Sequence, residues 1–155
     1  MHFQNKITPF LGFESEAEDA ANYYVSVLPD SRVLRVVRHP ETEAVLTVEF
    51  RLAGMTFVAL NTGRANWRFT EAFSLAVACD TQEEIDELWS KLLVGGQELA
   101  CGWVKDKFGL CWQIVPRAIG QMIGDPDPAR AKRVFDAMSQ MIKMDLAKLN
   151  AAYDG

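Results

Sequence analysis

The chain has 155 residues, 49% of them hydrophobic and 24% charged, and a formal net charge of −5. That balance describes an ordinary globular protein and excludes nucleic acid as a main partner, because neutralising phosphates requires a basic face. No apolar run approaches the roughly 18 residues of a membrane span, and the N-terminus lacks a charged flank followed by an apolar core, so a cytoplasmic protein with no membrane partner is expected.

Residues 6–13 read as an apolar strand. Ser15-Glu16-Ala17-Glu18 then matches the S/T-x-x-E capping box, in which a hydroxyl and a carboxylate each satisfy a first-turn backbone donor. The spacing predicts a helix over 16–28 with a buried stripe of Ala17, Ala21, Tyr24 and Leu28, stopped by Pro29-Asp30. Strands follow at about 32–38, 44–52 and 56–61, with His39-Pro40 and Ala53-Gly54 as turn signals.

The pattern then starts again. A second apolar strand over 73–79 leads into Thr81-Gln82-Glu83-Glu84, a second capping box 66 residues beyond the first. The helix predicted over 82–94 carries Ile85, Leu88, Trp89 and Leu92 at helical spacing and ends at Gly95-Gly96. Strands are predicted at about 98–105 and 110–115, with Asp106-Lys107-Phe108-Gly109 as the turn between them. Two like modules usually pack edge to edge, and a groove between them is where a ligand would sit. Residues 1–116 are therefore read as one domain of paired modules, about 1–66 and 67–116.

Residues 117–155 show no strand pattern and are expected to form a helical extension. Asp127-Pro128 places an N-cap before a proline at the first helical position. Val134, Phe135, Met138, Met141 and Ile142 form an apolar stripe, and Asp145 caps a last helix presenting Leu146, Leu149 and Tyr153. A stripe this apolar covers either its own sheet or another subunit, so a homodimer burying Phe135 is expected. Cys79, Cys101 and Cys111 have no metal-like spacing and suit a reducing compartment.

The segments ITPFLGF, YYVSVLPDS, TVEFRLAG, ALNTG and CGWVKDKFGLCWQIVP, followed by DPDPARAKRVFDAM, resemble the PhnB-like branch of the vicinal oxygen chelate superfamily. That superfamily includes glyoxalase I, extradiol dioxygenases and the bleomycin and fosfomycin resistance proteins. The resemblance implies an α+β fold in which two βαβββ modules form a curved mixed sheet around a cleft, followed by a C-terminal helical tail, commonly as a homodimer. Some relatives are labelled 3-demethylubiquinone-9 3-methyltransferase. No glycine-rich site for S-adenosylmethionine follows either strand, so no such cofactor, and no other, is expected.

Members of the superfamily that do chemistry usually hold a divalent metal with His, Glu or Gln on the first and last strands of each module. This sequence departs from that pattern. Thr8 stands nearest the first position, Ala59 and Asn61 occupy the second strand and Ser74 the third, leaving Gln113 as the one plausible ligand type. His2 lies at the terminus and His39 beside Pro40 in a turn, and no metal site is expected.

The groove still offers polar side chains. If Val48, Phe50 and Leu52 face the helix, alternation turns Thr47, Glu49 and Arg51 to the concave face. A three-residue turn over 53–55 would pair Thr47 with Asn61 and Glu49 with Ala59 there. Trp112 and Ile114 suit the core, leaving Cys111, Gln113 and Val115 for the ligand, with Ser74, Ala76 and Ala78 beside them. Trp67, Phe69 and Trp103 lie in or near loops where aromatic rings wall a small ligand, or equally pack a core or a dimer. The expected ligand-facing set is thus Thr8, Thr47, Glu49, Asn61, Trp67, Phe69, Ser74, Trp103 and Gln113. Glu49 is the candidate proton acceptor, with a cross-sheet pair to a cation as the plain alternative. Two readings follow: a metal-free binder of small molecules, or an enzyme of the superfamily using Glu49 or a reduced site at Gln113.

Overall fold

The computed structural model describes residues 6–64 and 66–155. His2 lies outside them. The chain divides into two compact units, Met1–Arg68 and Phe69–Gly155. The first contains β1 (Phe10–Phe13), α1 (Ala17–Val27), β2 (Arg32–Arg38), β3 (Val45–Leu52) and β4 (Met55–Asn61). The second contains β5 (Ser74–Cys79), α2 (Gln82–Leu93), β6 (Gln97–Glu98), β7 (Trp103–Lys105) and β8 (Cys111–Pro116). Three helices follow: α3 (Ile119–Ile123), α4 (Pro128–Ser139) and α5 (Leu146–Asp154).

Each unit has its own four-stranded mixed sheet, ordered β1-β4-β3-β2 in one and β5-β8-β7-β6 in the other. In both, the first strand runs parallel to the last and the remaining pairs are antiparallel. The βαβββ repeat is therefore complete in topology as well as in pattern. The second module has three strands after its helix, because residues 98–105 are not one strand. Cys101 and Gly102 both take positive φ, 59° and 78°, and fold the segment into the β6–β7 hairpin. A side chain at Gly102 is excluded, since its Cβ would stand 2.8 Å from the Ile114 carbonyl oxygen.

In the first unit, α1 buries Ala17, Ala20, Ala21, Tyr24 and Val27, and the sheet offers Leu11, Phe13, Val48, Phe50, Phe57 and Ala59 as core residues. Phe50 stacks on Phe57 with ring centroids 5.7 Å apart. In the second, α2 buries Ile85, Leu88, Trp89 and Leu92, and Val104, Trp112 and Ile114 are buried on the sheet. Asp106 is the buried acid that holds the β7–β8 turn. Its carboxylate accepts from the Phe108 N–H at 2.8 Å, the Leu110 N–H at 3.1 Å and the Trp112 indole N–H at 2.8 Å.

The two capping boxes behave differently. At α2 the Thr81 hydroxyl accepts from the Glu84 N–H at 3.2 Å, and Glu84 reaches back to the Asp80 N–H at 2.7 Å. At α1 the Ser15 box does not form. The Ala17 N–H is taken by Asn61 Oδ1 at 2.9 Å, and Glu18 turns away to Arg38 at 2.8 Å. Long-range partners displace the local pair there.

The tail belongs to the second unit and is fastened through backbone. The Cys101 and Gly102 N–H groups donate to the Met141 and Ile142 carbonyls at 2.8 and 2.7 Å. The Gln82 side-chain amide donates to the Met144 carbonyl at 3.1 Å and accepts from the Leu146 N–H at 2.8 Å. Asp127 and Asp145 cap α4 and α5 as the sequence predicts. The apolar stripe is not one helical face, however, because α4 ends at Ser139. Val134 is buried, Met141 and Ile142 lie beyond the helix, and Phe135 is 54% exposed.

Replacing Asp106 with Ala should lower stability by about 3 kcal/mol, because it removes three hydrogen bonds and leaves a buried indole N–H without its acceptor. The midpoint of urea unfolding checks this. A shift no larger than that of an exposed Asp→Ala control contradicts it.

Candidate functional site

Each helix covers one face of its sheet, and the other face carries no helix of its own module. In the first unit, register decides what that open face holds. The β3–β4 turn has two residues, Ala53 and Gly54, with φ of 42° and 92°, so Leu52 pairs with Met55. Thr47 then pairs with Leu60 and Glu49 with Val58, not with Asn61 and Ala59. Across the sheet, Phe10, Val58, Glu49 and Arg35 form one row. Gly12, Leu60, Thr47 and Val37 form another. Arg51 stands opposite Arg32.

Asn61 consequently leaves the expected set. It shares the helix-side face with Ala59, where its Oδ1 accepts from the Ala17 N–H and its Nδ2 donates to the Val45 carbonyl at 3.0 Å. It caps α1 and ties β4 to the start of β3. A hollow of about 410 Å³ bordered by Asn61, Glu14, Glu18 and Asp19 lies at this helix end.

Thr47 and Glu49 are half-buried on the open face as expected. Trp67 joins them: its ring carbon Cε3 lies 3.2 Å from where a Cβ on Gly12 would project, so the absent side chain admits the indole onto the sheet. Trp67 is 52% exposed, and the Arg64 guanidinium sits 6.0 Å from its ring centroid. Thr8 is half-buried but precedes β1, which begins at Phe10 and not at residue 6. His39 is structural: its Nδ1 accepts from the Glu41 and Thr42 N–H groups at 3.2 and 3.3 Å in the β2–β3 turn.

In the second unit the register sets Ser74 beside Cys111, Ala76 beside Gln113 and Ala78 beside Val115. Trp103 lies opposite Gln113, and Lys105 opposite Cys111. Ser74, Gln113 and Trp103 therefore share one face, as expected. Gln113 Nε2 donates to Ser74 Oγ at 2.8 Å, which leaves its carbonyl oxygen as the end able to receive a ligand donor. Phe69 is half-buried in the segment leading to β5.

Sequence reasoning missed Glu71, Lys105 and Cys111 as one group. Lys105 forms an ion pair with Glu71 across 34 positions of sequence, and no local pattern announces it. The hydrogen bond from Lys105 holds the Glu71 carboxyl below its ordinary value, and the same bond raises the lysine. Burial pushes the neighbouring Cys111 thiol up, against the pull of Lys105. Burial likewise pushes Cys79 up to about 12. Both are protonated thiols and poor nucleophiles.

The metal implied by the superfamily does not fit these residues. Among those described, no three His, Cys, Asp or Glu side chains gather to hold an ion. Gln113 is one candidate ligand without partners of ligand type beside it, and β1 consists of Phe10, Leu11, Gly12 and Phe13.

A four-stranded mixed sheet with one covering helix, present twice in a chain, is the fold of the glyoxalase and bleomycin resistance proteins of the vicinal oxygen chelate superfamily. The chain is similar to a PhnB protein from Bacillus cereus, with 36% identity and a TM-score of 0.68 over 72% of this chain and 99% of the other. It also resembles a protein from Pseudomonas aeruginosa at 17% identity, with a TM-score of 0.59 over 70% and 95% of the two chains. A fosfomycin resistance protein from Listeria monocytogenes, solved with Mn(II) and sulfate, matches in fold at 13% identity and a TM-score of 0.50, over 72% and 90%. No curated protein matches. The family model described as 3-demethylubiquinone-9 3-methyltransferase matches residues 5–115, and the chain belongs to that PhnB-like family.

The Glu71–Lys105 pair predicts a pH dependence. A carboxyl held below 4.5 contributes stability that is complete above 4.5 and disappears as pH falls through its lower folded value. The raised lysine contributes below 10.5 and loses its effect as pH rises beyond the folded value. The stability difference between the native chain and Glu71→Gln should therefore be small but measurable at neutral pH, closing at both acid and alkaline extremes. Unfolding followed across pH checks it, and a difference constant with pH refutes the assignment.

Proposed function

We propose that this protein binds a small organic molecule against the open sheet faces of its modules, without a divalent ion, and that it does so as a cytoplasmic homodimer. The observation that carries the reading is the content of those faces. Hydrogen-bonding groups (Ser74, Gln113, Thr47) stand on strands that their own helices leave uncovered, and a half-exposed indole (Trp67), from the segment after β4, lies over Gly12 of β1. Binding sites commonly combine aromatic walls with a few fixed polar groups. The methyltransferase wording of the family description is not adopted as an activity, since neither strand-to-helix connection is glycine-rich.

Support for the dimer comes from Phe135 and Ile142, which are 54% and 52% exposed. Support for the compartment comes from three free cysteines. No helix among the described residues is long and apolar enough to cross a membrane. Catalysis by Glu49 is not part of the proposal, because the register places Arg35 directly opposite it.

Elemental analysis of protein purified without chelator should find no stoichiometric divalent metal. A metal that is present and lost in Gln113→Ala would overturn the metal-free reading. Sedimentation at micromolar concentration should give a dimer, and Phe135→Glu should shift it to monomer. A monomeric native chain would remove the dimer from the proposal.

A further inference from the structure

The open face of the second sheet carries a polar pair beside an apolar floor. Ser74 stands on the edge strand β5 and Gln113 on β8, each half-buried. Gln113 Nε2 donates to Ser74 Oγ at 2.8 Å, a bond across 39 positions of sequence that fixes how the carboxamide is turned. Among the described residues, the Gln113 carbonyl oxygen then receives no donor and the Ser74 hydroxyl proton finds no acceptor. An acceptor and a donor thus stand no more than about 5 Å apart, the hydrogen bond plus the width of one carboxamide. The next positions along the same face are small. Ala76 lies beside Gln113 and Ala78 beside Val115, and both alanines are exposed. Alanine is a poor strand former, and two of them on one face leave room where branched side chains would stand. Trp103, half-buried and opposite Gln113, borders that room on the β7 side. In the adjacent row Lys105 is paired with Glu71, so its charge is already offset.

We propose that the second module takes a neutral, flat ring compound with an N–H and a carbonyl side by side on one edge, as in a lactam. Its N–H donates to the Gln113 carbonyl oxygen and its carbonyl accepts from the Ser74 hydroxyl, while the ring rests over Ala76 and Ala78 with Trp103 as a wall. This deepens the small-molecule reading above and rests on it. The scale agrees: same-face rows repeat about every 7 Å along a strand and β5 to β7 spans about 10 Å, so one ligand of one or two rings reaches every group named. Selectivity comes from the polar pair. A ring without the N–H covers the Gln113 oxygen and leaves that acceptor unpaired, which costs affinity. An anion gains nothing here, because the nearby lysine already has its carboxylate and the chain carries a net charge of −5.

The test follows the NMR amide spectrum of the isotopically labelled full chain during titration with 2-quinolone, N-methyl-2-quinolone and quinoline-2-carboxylate. 2-Quinolone should shift the amides of β5 and β8 and bind about tenfold more tightly than either other probe. Gln113→Met should abolish its preference over N-methyl-2-quinolone, and Ser74→Ala should weaken both of these carbonyl probes. The spread of each variant's spectrum shows that it is folded. Equal affinity of the native chain for 2-quinolone and its N-methyl derivative overturns the lactam assignment, and tightest binding of the carboxylate overturns the neutral one. Either result leaves small-molecule binding standing. A preference that survives Gln113→Met overturns the assignment of that residue, and shifts confined to the first module overturn the placement. Absence of shifts with all three probes overturns this inference and counts against the small-molecule reading as well.

Discussion

Strand register governs what this protein presents to its surroundings. In each module the helix consumes one face of the sheet, so a slip of one residue exchanges the buried set for the displayed one. Two of the turns that fix register are tight ones, the two-residue Ala53-Gly54 in the first module and the three-residue Ala100-Cys101-Gly102 in the second, with Ala53, Gly54, Cys101 and Gly102 all at positive φ. Their left-handed conformation matches strand twist and leaves no slack for a longer loop. Alanine and cysteine adopt that conformation at a cost, and the hairpins they close offset it. Thr47, Glu49 and Arg51 owe their shared face to the first turn, and Trp103 owes its place opposite Gln113 to the strand that begins after the second.

The two modules share topology but have diverged in what their displayed faces carry. The first sets arginines against aromatics, with Glu49 and Thr47 between. The second is lined by Ser74, Ala76 and Ala78 along β5, small side chains that leave space above the strand, with Gln113, Cys111 and Lys105 on the strands beside it. The same divergence appears at the helix starts. Thr81 caps α2 through its own hydroxyl, whereas α1 draws on Asn61, 44 residues away in sequence. Asn61, expected from sequence to face a ligand, is thereby committed to holding the helix.

Much of this was legible in the sequence. Alternation along β3 and β8 identified the core side correctly, as buried Val48, Phe50, Trp112 and Ile114 attest, whereas on β5 Leu75 and Val77 are only half-buried and Phe73, before it, is exposed. The helices announced themselves through caps and apolar spacing, and the first strands of the two modules, ending at Phe13 and Cys79, keep the 66-residue offset. What escaped was non-local or unusual in local chemistry. Ala-Gly and Cys-Gly are weak turn signals beside Asn-Gly, so the first loop was read one residue too long and the second was missed within a strand. The Ser15 box failed because Asn61 and Arg38 reached α1 from elsewhere in the fold. Helix α3, of five residues, is too short for periodicity to reveal. The Glu71–Lys105 pair joins a loop to a strand, and pairing of that kind exists only once the sheet has formed.

The attachment of the tail has a consequence of its own. Cys101, Gly102 and Gln82 grip residues 141–146 by their peptide groups, and peptide groups are common to every amino acid. Docking of this sort is largely indifferent to side-chain identity along the strip except at Met144, whose fully buried side chain packs against Gly102. The outward residues of the extension, Phe135 and Ile142 among them, are therefore at liberty to change without loosening the joint. Descendants of this chain can rewrite that surface for new associations while the anchor stays as it is.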